Sequence, residues 1–394
     1  MRLPESKIKS AILHPNEDVR LTAVGYFSDA YSEDQTVMPL VIEAVEKYGR
    51  DCAFRILRDA ERLHQTEETV KWLSSELRRD YNTKEIAEDN YRCAVAISLC
   101  QAQVGLLSIS FCDLPSFPNE MKEIVTERLE MASWDLETAW KALESFGLDT
   151  MRRNEFTQAD IRRAQRIMET LAQYPNERAD MVLCLLRREY PPGNDQLMQW
   201  LDPLIIELAG EMRLQQAIPI LMERLNEEYM EVVDAAITAL SKIGGDAVVE
   251  AVSDEWRESD FEWQDTVADV LEHIHTDLCV EKCIEYFDED EEEEPDVQIS
   301  LANALLAHFT ADAIEPVRQL VLGDEDDLEP DERDVRYRLL AVATVMGETF
   351  PEYDEWYQVA LENNWGWGDY KPGRLADAFR RHQIGQPHLG NGKA

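Results

Sequence analysis

Glu231-Val232-Val233-Asp234-Ala235-Ala236-Ile237-Thr238-Ala239-Leu240-Ser241-Lys242-Ile243 aligns without a gap onto Glu262 to Ile274, 31 residues further on. Asp296-Val297-Gln298 opens a third copy and Asp334-Val335-Arg336 a fourth. Between Gln216 and Gly347 one helix-turn-helix unit therefore recurs, and these segments are its second helices. A unit of this length buries its apolar face only by stacking on a neighbour, so the repeat predicts an α-solenoid. No alternating run is long enough to be a strand. The expected fold class is all-α, a right-handed solenoid of stacked helix pairs.

The first helices of these units are expected near Gln216, Asp246, Asp277 and Asp312, and the second from Glu231, Glu262, Asp296 and Asp334. The separations are 15, 16, 19 and 22 residues, so the last two units carry longer internal turns. The added residues are acidic: Asp288, Glu289, Asp290, Glu291, Glu292, Glu293 and Glu294 before Pro295-Asp296 in one turn, and Asp324, Glu325, Asp326 and Asp327 leading into Asp334 in the other. Both insertions fall at the same place in the repeat and should emerge on one edge, roughly 10 Å apart and within about one Debye length. Such a pair of turns reads either as solvated like-charge loops or as an electrostatic docking edge for a basic partner. Calcium is a third reading, weakened because the glycine spacing of an EF-hand loop is missing.

Toward the N-terminus the pattern persists. Ile8, Ala11 and Ile12 make a stripe that His14-Pro15-Asn16-Glu17 breaks, and Asp18-Val19-Arg20 begins the next helix. Val37, Val41, Val45 and Tyr48 mark another helix ending at Gly49, followed by Cys52, Ile56, Leu57, Ala60 and Leu63. From about 66 to 200 the repeat blurs. Cys93 to Leu107 reads as a helix buried on several sides, and Asp113-Leu114-Pro115-Ser116-Phe117-Pro118 as a break. Thr157-Gln158-Ala159-Asp160 has the form of a capping box. The sequence thus divides into repeats at 1–63, degenerate helices at 64–200, clear repeats at 201–347 and an aromatic-rich cap and tail at 348–394.

At Ala217-Ile218-Pro219-Ile220-Leu221, at Ala239-Leu240-Ser241-Lys242-Ile243-Gly244-Gly245-Asp246-Ala247 and at the Asp-Val-Arg turns of 18–20 and 334–336, the chain resembles the HEAT-repeat superfamily, in the short-period form of bilin-lyase-type proteins. The resemblance implies protein binding along a curved surface and no chemistry. An accessory or catalytic subunit of a bilin-lyase-like enzyme, holding a small ligand in a concave groove, is the alternative it leaves.

Composition narrows the partner. Of 394 residues, 39 are basic and 80 acidic, a net charge of −41 with a pI near 4.4. That charge repels phosphate backbones and anionic lipid, so nucleic acid and membrane are poor partners and a basic protein or peptide a better one. The N-terminus lacks a secretory apolar run, and seven scattered cysteines suit reduced thiols, so a cytoplasmic, monomeric protein is expected. Arg162, Arg163 and Arg166, with Arg152, Arg153, Arg178, Arg187 and Arg188, form a basic island. It reads as intramolecular pairing with Glu155, Glu169, Glu177 and Glu189, or as a site for an acidic partner. One island in so acidic a chain does not make the DNA-reading face of the HEAT-like glycosylases.

His273-x-His275-x3-Cys279-x3-Cys283 offers four zinc-type ligands, against the plainer reading that Cys283 lies on the core side of its helix. No metal or cofactor is expected. Phe350, Tyr353, Trp356, Tyr357, Trp365, Trp367 and Tyr370 read as a solenoid cap, with an aromatic ligand pocket as the other possibility. No nucleophile elbow, Walker loop, dinucleotide fingerprint or His-Glu-x-x-His occurs, so no enzyme is expected.

Overall fold

The computed structural model describes residues 2–362 except 51–52, 191–192, 194, 255, 290–294 and 324–327. Among them the chain is all-helical, and its one β-type pairing is an isolated bridge between Arg2 and Thr310. The helices are α1 (Glu5–Ala11), α2 (Glu17–Asp29), α3 (Val37–Tyr48), α4 (Phe54–Asp59), α5 (Glu67–Glu76), α6 (Ile86–Cys100) and α7 (Asn119–Met131). Then follow α8 (Leu136–Arg153), α9 (Gln158–Ala172), α10 (Pro175–Leu186), α11 (Asp195–Glu211), α12 (Ile218–Arg224), α13 (Met230–Ile243) and α14 (Asp246–Ser253). The last six are α15 (Phe261–Glu272), α16 (Asp277–Glu289), α17 (Pro295–Ala307), α18 (Ile314–Leu320), α19 (Pro330–Met346) and α20 (Tyr353–Glu362). None is long and apolar enough to cross a membrane.

Local chemistry sets the ends. Asn16 caps α2, its side chain accepting from the amides of Asp18 and Val19. Thr157 and Asp160 form the expected capping box on α9, and Gly49 closes α3 at φ 96°, a conformation a side chain would strain. The helix expected over 93–107 instead spans α6, starting at Ile86 and stopping at Cys100. α19 begins at Pro330, before Asp334, because proline suits the first helical position and Asp331 and Glu332 suit the positive end of the dipole. Part of the supposed acidic insertion is therefore the first turn of a helix. Asp288 and Glu289 likewise belong to the last turn of α16.

The helices gather into two compact units, one of Met1–Ser133 and the described chain from Asp260 on, the other of Trp134–Ser259. In the first unit α15 packs on α17, α17 on α19, α19 on α2, α2 on α4 and α4 on α6. Ser300 Oγ meets Asp265 Oδ1 at 2.6 Å and Arg338 Nη1 meets Asn303 Oδ1 at 3.0 Å, each pair 35 residues apart. The Asp265–Ser300 and His275–His308 contacts advance together along the chain, so α15 and α17 run parallel. At the α19–α2 join the Leu3 amide donates to the Phe309 carbonyl at 2.8 Å, Arg2 Nη2 to Tyr26 Oη at 2.7 Å, and Asn16 Nδ2 to Tyr357 Oη at 3.0 Å. α20 also lies on α19, and its Trp356 ring stacks on the Arg336 guanidinium at 4.2 Å. Trp365, Trp367 and Tyr370 lie outside the described residues.

In the second unit α11 is central, touching α8, α9, α10 and α13, while α12 packs on α13 and α14. Gly210 permits the close approach of α11 and α13: a Cβ there would lie 2.6 Å from Ala239 Cα.

Buried arginines finish several helix ends. Arg336 donates to the carbonyls of Val321 (2.6 Å) and Gly323 (2.7 Å), just past α18. Arg128 donates to Cys100 and, at 2.8 Å, to Ala102, past α6. Arg20 holds His14 and Pro15 (2.8 and 2.9 Å), and in the second unit Arg224 holds Leu186. The last turn of a helix leaves carbonyls unpaired and partly negative, and a buried guanidinium satisfies both deficits.

Candidate functional site

Because α15 and α17 run parallel, their starts lie on one edge of the first unit. Phe261, at the start of α15, and Leu322, between α18 and α19, are large apolar residues that are 47% and 48% exposed. Glu262, Asp288 and Asp296 are exposed along the edge, and Glu329, Asp331 and Asp334 are exposed around the start of α19. Asp260 caps α15 through the Trp263 amide, and Glu332 accepts from the Glu329 amide, so two further acids are engaged in helix starts. Asp334 titrates above the ordinary carboxylate range, through partial burial first and repulsion from Asp331 second. Asp290, Glu291, Glu292, Glu293 and Glu294, and Asp324, Glu325, Asp326 and Asp327, lie outside the described residues. In the second unit the corresponding turn, before α13, exposes Tyr229 and Met230.

The arginine island is spread over α8, α9, α10 and the turn after α10. Arg153 is held by Asp149 (3.2 Å) and Asp160 (2.9 Å), and Arg188 by Asp202 (3.4 Å) and Glu227 (2.6 Å). None of these four acids was singled out by sequence proximity. Arg162 and Arg163 are exposed on α9, whereas Arg166 is half-buried, and both Arg163 and Arg166 have partners.

The histidine and cysteine cluster is real but differently composed. Cys279 and Cys283, one turn apart on α16, meet His308 just beyond α17, and all three are fully buried. Their ligand atoms lie within 4.8 Å of one another. His308 Nε2 is 3.5 Å from Cys279 Sγ and 4.0 Å from Cys283 Sγ. The Cys283 thiol is lowered from its ordinary value by hydrogen bonding with Cys279, against burial, and then by His308. His273 is not part of it: its Nδ1 lies 2.8 Å from the Asp269 carbonyl in the last turn of α15. His275 stacks on Tyr26 at 4.0 Å and meets His308 edge-on at 5.4 Å. Burial, then the His308 charge, hold its imidazole well below the usual pKa. The missed residue had a signal. His308 stands 35 residues after His273, the offset that relates Asp265 to Ser300 on the same helices.

A shallow cavity of ≈ 500 Å³ opens between α3 and α5, lined by Gln35, Thr36, Pro39, Thr66, Glu67 and Glu68. No aromatic ring lines it, and its residues form no catalytic constellation.

No family model and no curated protein matches the chain. Among solved structures, it is similar to an engineered protein from a structural-genomics programme, at 13% identity over 97% of this chain and 98% of that one. The TM-score is 0.30, too low to carry an argument about fold or function.

Proposed function

We propose that this chain is a non-catalytic interaction scaffold, a right-handed solenoid of HEAT-like helix pairs that docks a basic protein on the acidic edge at the starts of α15, α17 and α19. The observation that carries the reading is the exposure of Glu262, Asp288, Asp296, Glu329 and Asp331 at or next to the starts of α15, α17 and α19, with Phe261 and Leu322 also exposed there. Like charges gathered at helix starts set up a field that accelerates encounter with a cation-rich surface. The two apolar side chains supply contact area that charge alone does not.

The reading also accounts for where the charge is absent. Arg153 and Arg188 are used in ion pairs with Asp149, Asp160, Asp202 and Glu227 and are not offered as a basic docking face. A cytoplasmic location and a monomeric state are part of the proposal.

The test compares two variants of equal charge. One carries Glu262→Gln, Asp288→Asn, Asp296→Asn and Asp331→Asn. The other carries Glu68→Gln, Glu120→Gln, Glu123→Gln and Glu130→Gln, at exposed positions elsewhere. Capture from native lysate at low and high salt should retain a basic protein on wild type and on the second variant but not on the first, and salt should weaken it. Equal capture by both variants overturns the docking edge.

A further inference from the structure

We propose that Cys279, Cys283 and His308 form a binding site for a thiophilic divalent metal ion of the zinc class. Three observations converge on this site. The first is spacing. A zinc ion with ordinary bond lengths in a tetrahedral set holds a sulfur and a nitrogen about 3.6 Å apart. The Nε2 to Sγ distances of 3.5 and 4.0 Å bracket that value, and the three ligand atoms all lie within 4.8 Å of one another. The donors therefore already converge at coordination spacing, with no helix displaced.

The second is the nature of the pocket. All three side chains have 0% exposure. Cores are filled by leucine and valine more cheaply than by imidazole, whose buried nitrogens demand partners. Here Nε2 of His308 faces two thiols at the long end of hydrogen-bond range. Sulfur–nitrogen contacts of that length are weak, whereas thiolate and imidazole bonds to a borderline-soft ion are strong.

The third is charge. Two thiolates and a neutral imidazole around a divalent ion sum to zero, the only net charge a low-dielectric pocket accepts without a large penalty. Each thiol gives up its proton on binding, so two protons leave per ion bound. A monovalent soft ion would leave the same pocket at −1, which disfavours it. His275, edge-on to His308 at 5.4 Å and stacked on Tyr26, lies beside these three ligands and outside their set.

The position gives such an ion a role distinct from the docking edge. The ligands come from α16 and from the residue following α17, and the next residue, Phe309, takes the Leu3 amide of the N-terminal segment. An ion here ties α16 to the end of α17 beneath the place where the N-terminus is fastened. Its effect is on stability: it clamps the join, and the acidic edge operates independently of it.

Full-length protein purified without chelator is assayed for metals by plasma mass spectrometry, then stripped and titrated with cobalt(II), whose thiolate charge-transfer and ligand-field bands report sulfur ligation and tetrahedral geometry. The expected result is one equivalent bound with both signatures, displaced by zinc, and a melting temperature raised by zinc. Cys283→Ser and His308→Gln should weaken cobalt binding by at least about 10-fold, whereas Cys93→Ser and Cys184→Ser should not change it. A folded wild-type protein that shows no thiolate band at stoichiometric cobalt overturns the proposal, and this measurement stands even if the variants fail to fold. Binding that survives both Cys283→Ser and His308→Gln overturns it too.

Discussion

Replacing Gly210 with alanine sets two effects of known size against each other. Glycine inside a helix is less favourable than alanine by about 1 kcal/mol, so propensity alone predicts a more stable protein. The structure predicts the reverse. A Cβ at 210 would sit 2.6 Å from Ala239 Cα, 3.0 Å from Ala239 Cβ and 3.3 Å from the Ala239 carbonyl oxygen. The obstacle is backbone, so relief requires α11 and α13 to move apart along their whole packed length. Overpacking of this kind costs about 1–3 kcal/mol, and more where no side chain can rotate away. We therefore expect Gly210→Ala to lose about 1–2 kcal/mol net, a fall of several degrees in the melting temperature of the second unit. Gly147→Ala is the control. Its Cβ would also come within 2.8 Å of a neighbour, but only of the branched ends of Leu197 and Leu201, which can change rotamer. It should be neutral within about 0.5 kcal/mol, the clash and the propensity gain offsetting one another. Adding Ala239→Gly to Gly210→Ala removes one contact and leaves the Cα, so it should rescue only part of the loss. Urea unfolding followed by circular dichroism measures all three. A Gly210→Ala protein as stable as wild type would refute the close approach of α11 and α13.

Three further outcomes follow from other contacts. Glu76 is buried and receives Arg50 Nε (2.6 Å), Arg50 Nη2 (2.8 Å) and Tyr91 Oη (2.9 Å). Burial raises its pKa, but the Arg50 and Tyr91 hydrogen bonds outweigh that and hold it below its ordinary value. The carboxylate therefore stabilises the fold above the unfolded pKa of about 4.3 and loses that contribution as pH falls through the folded value. Glu76→Gln should cost about 2–3 kcal/mol at pH 7, less than for a fully buried pair because Arg50 keeps solvent contact, and the gap to wild type should close in acid. Arg336→Met leaves the buried Val321 without its donor, breaks the bond to the exposed Gly323 and removes the stack on Trp356, for a loss of about 2–3 kcal/mol and a changed tryptophan emission. Thr157→Ala opens the capping box of α9 and should cost about 1 kcal/mol, read by thermal unfolding.

Much of the local structure was legible because it is written in local chemistry. Asn16, Thr157 and Gly49 cap or close helices where their side chains, or the lack of one, dictate. The starts expected at Glu231, Glu262 and Asp296 lie one residue from those of α13, α15 and α17. The start at Asp334 was misplaced because Pro330-Asp331-Glu332 reads equally as an acidic loop or as a good first turn, and only packing decides. The metal-type cluster was half legible. Cys279 and Cys283 share a helix face by spacing alone, but His308 is 25 residues from Cys283 and reaches it across a helix pair. Least legible was the meeting of α19 with α2. Periodicity tells each repeat who its sequence neighbours are, and Asn16 and Tyr357 are 341 residues apart.

That join has a consequence for how the chain comes off the ribosome. Among the described residues the second unit is one stretch, Trp134–Ser259, and its helices can pack as soon as they emerge. The first unit waits. Helices α1 to α7 are made before it, yet the face of α2 that receives α19 stays bare until Met346 has been translated. Until then that face has no native neighbour, and the early helices are open to chaperones and to one another.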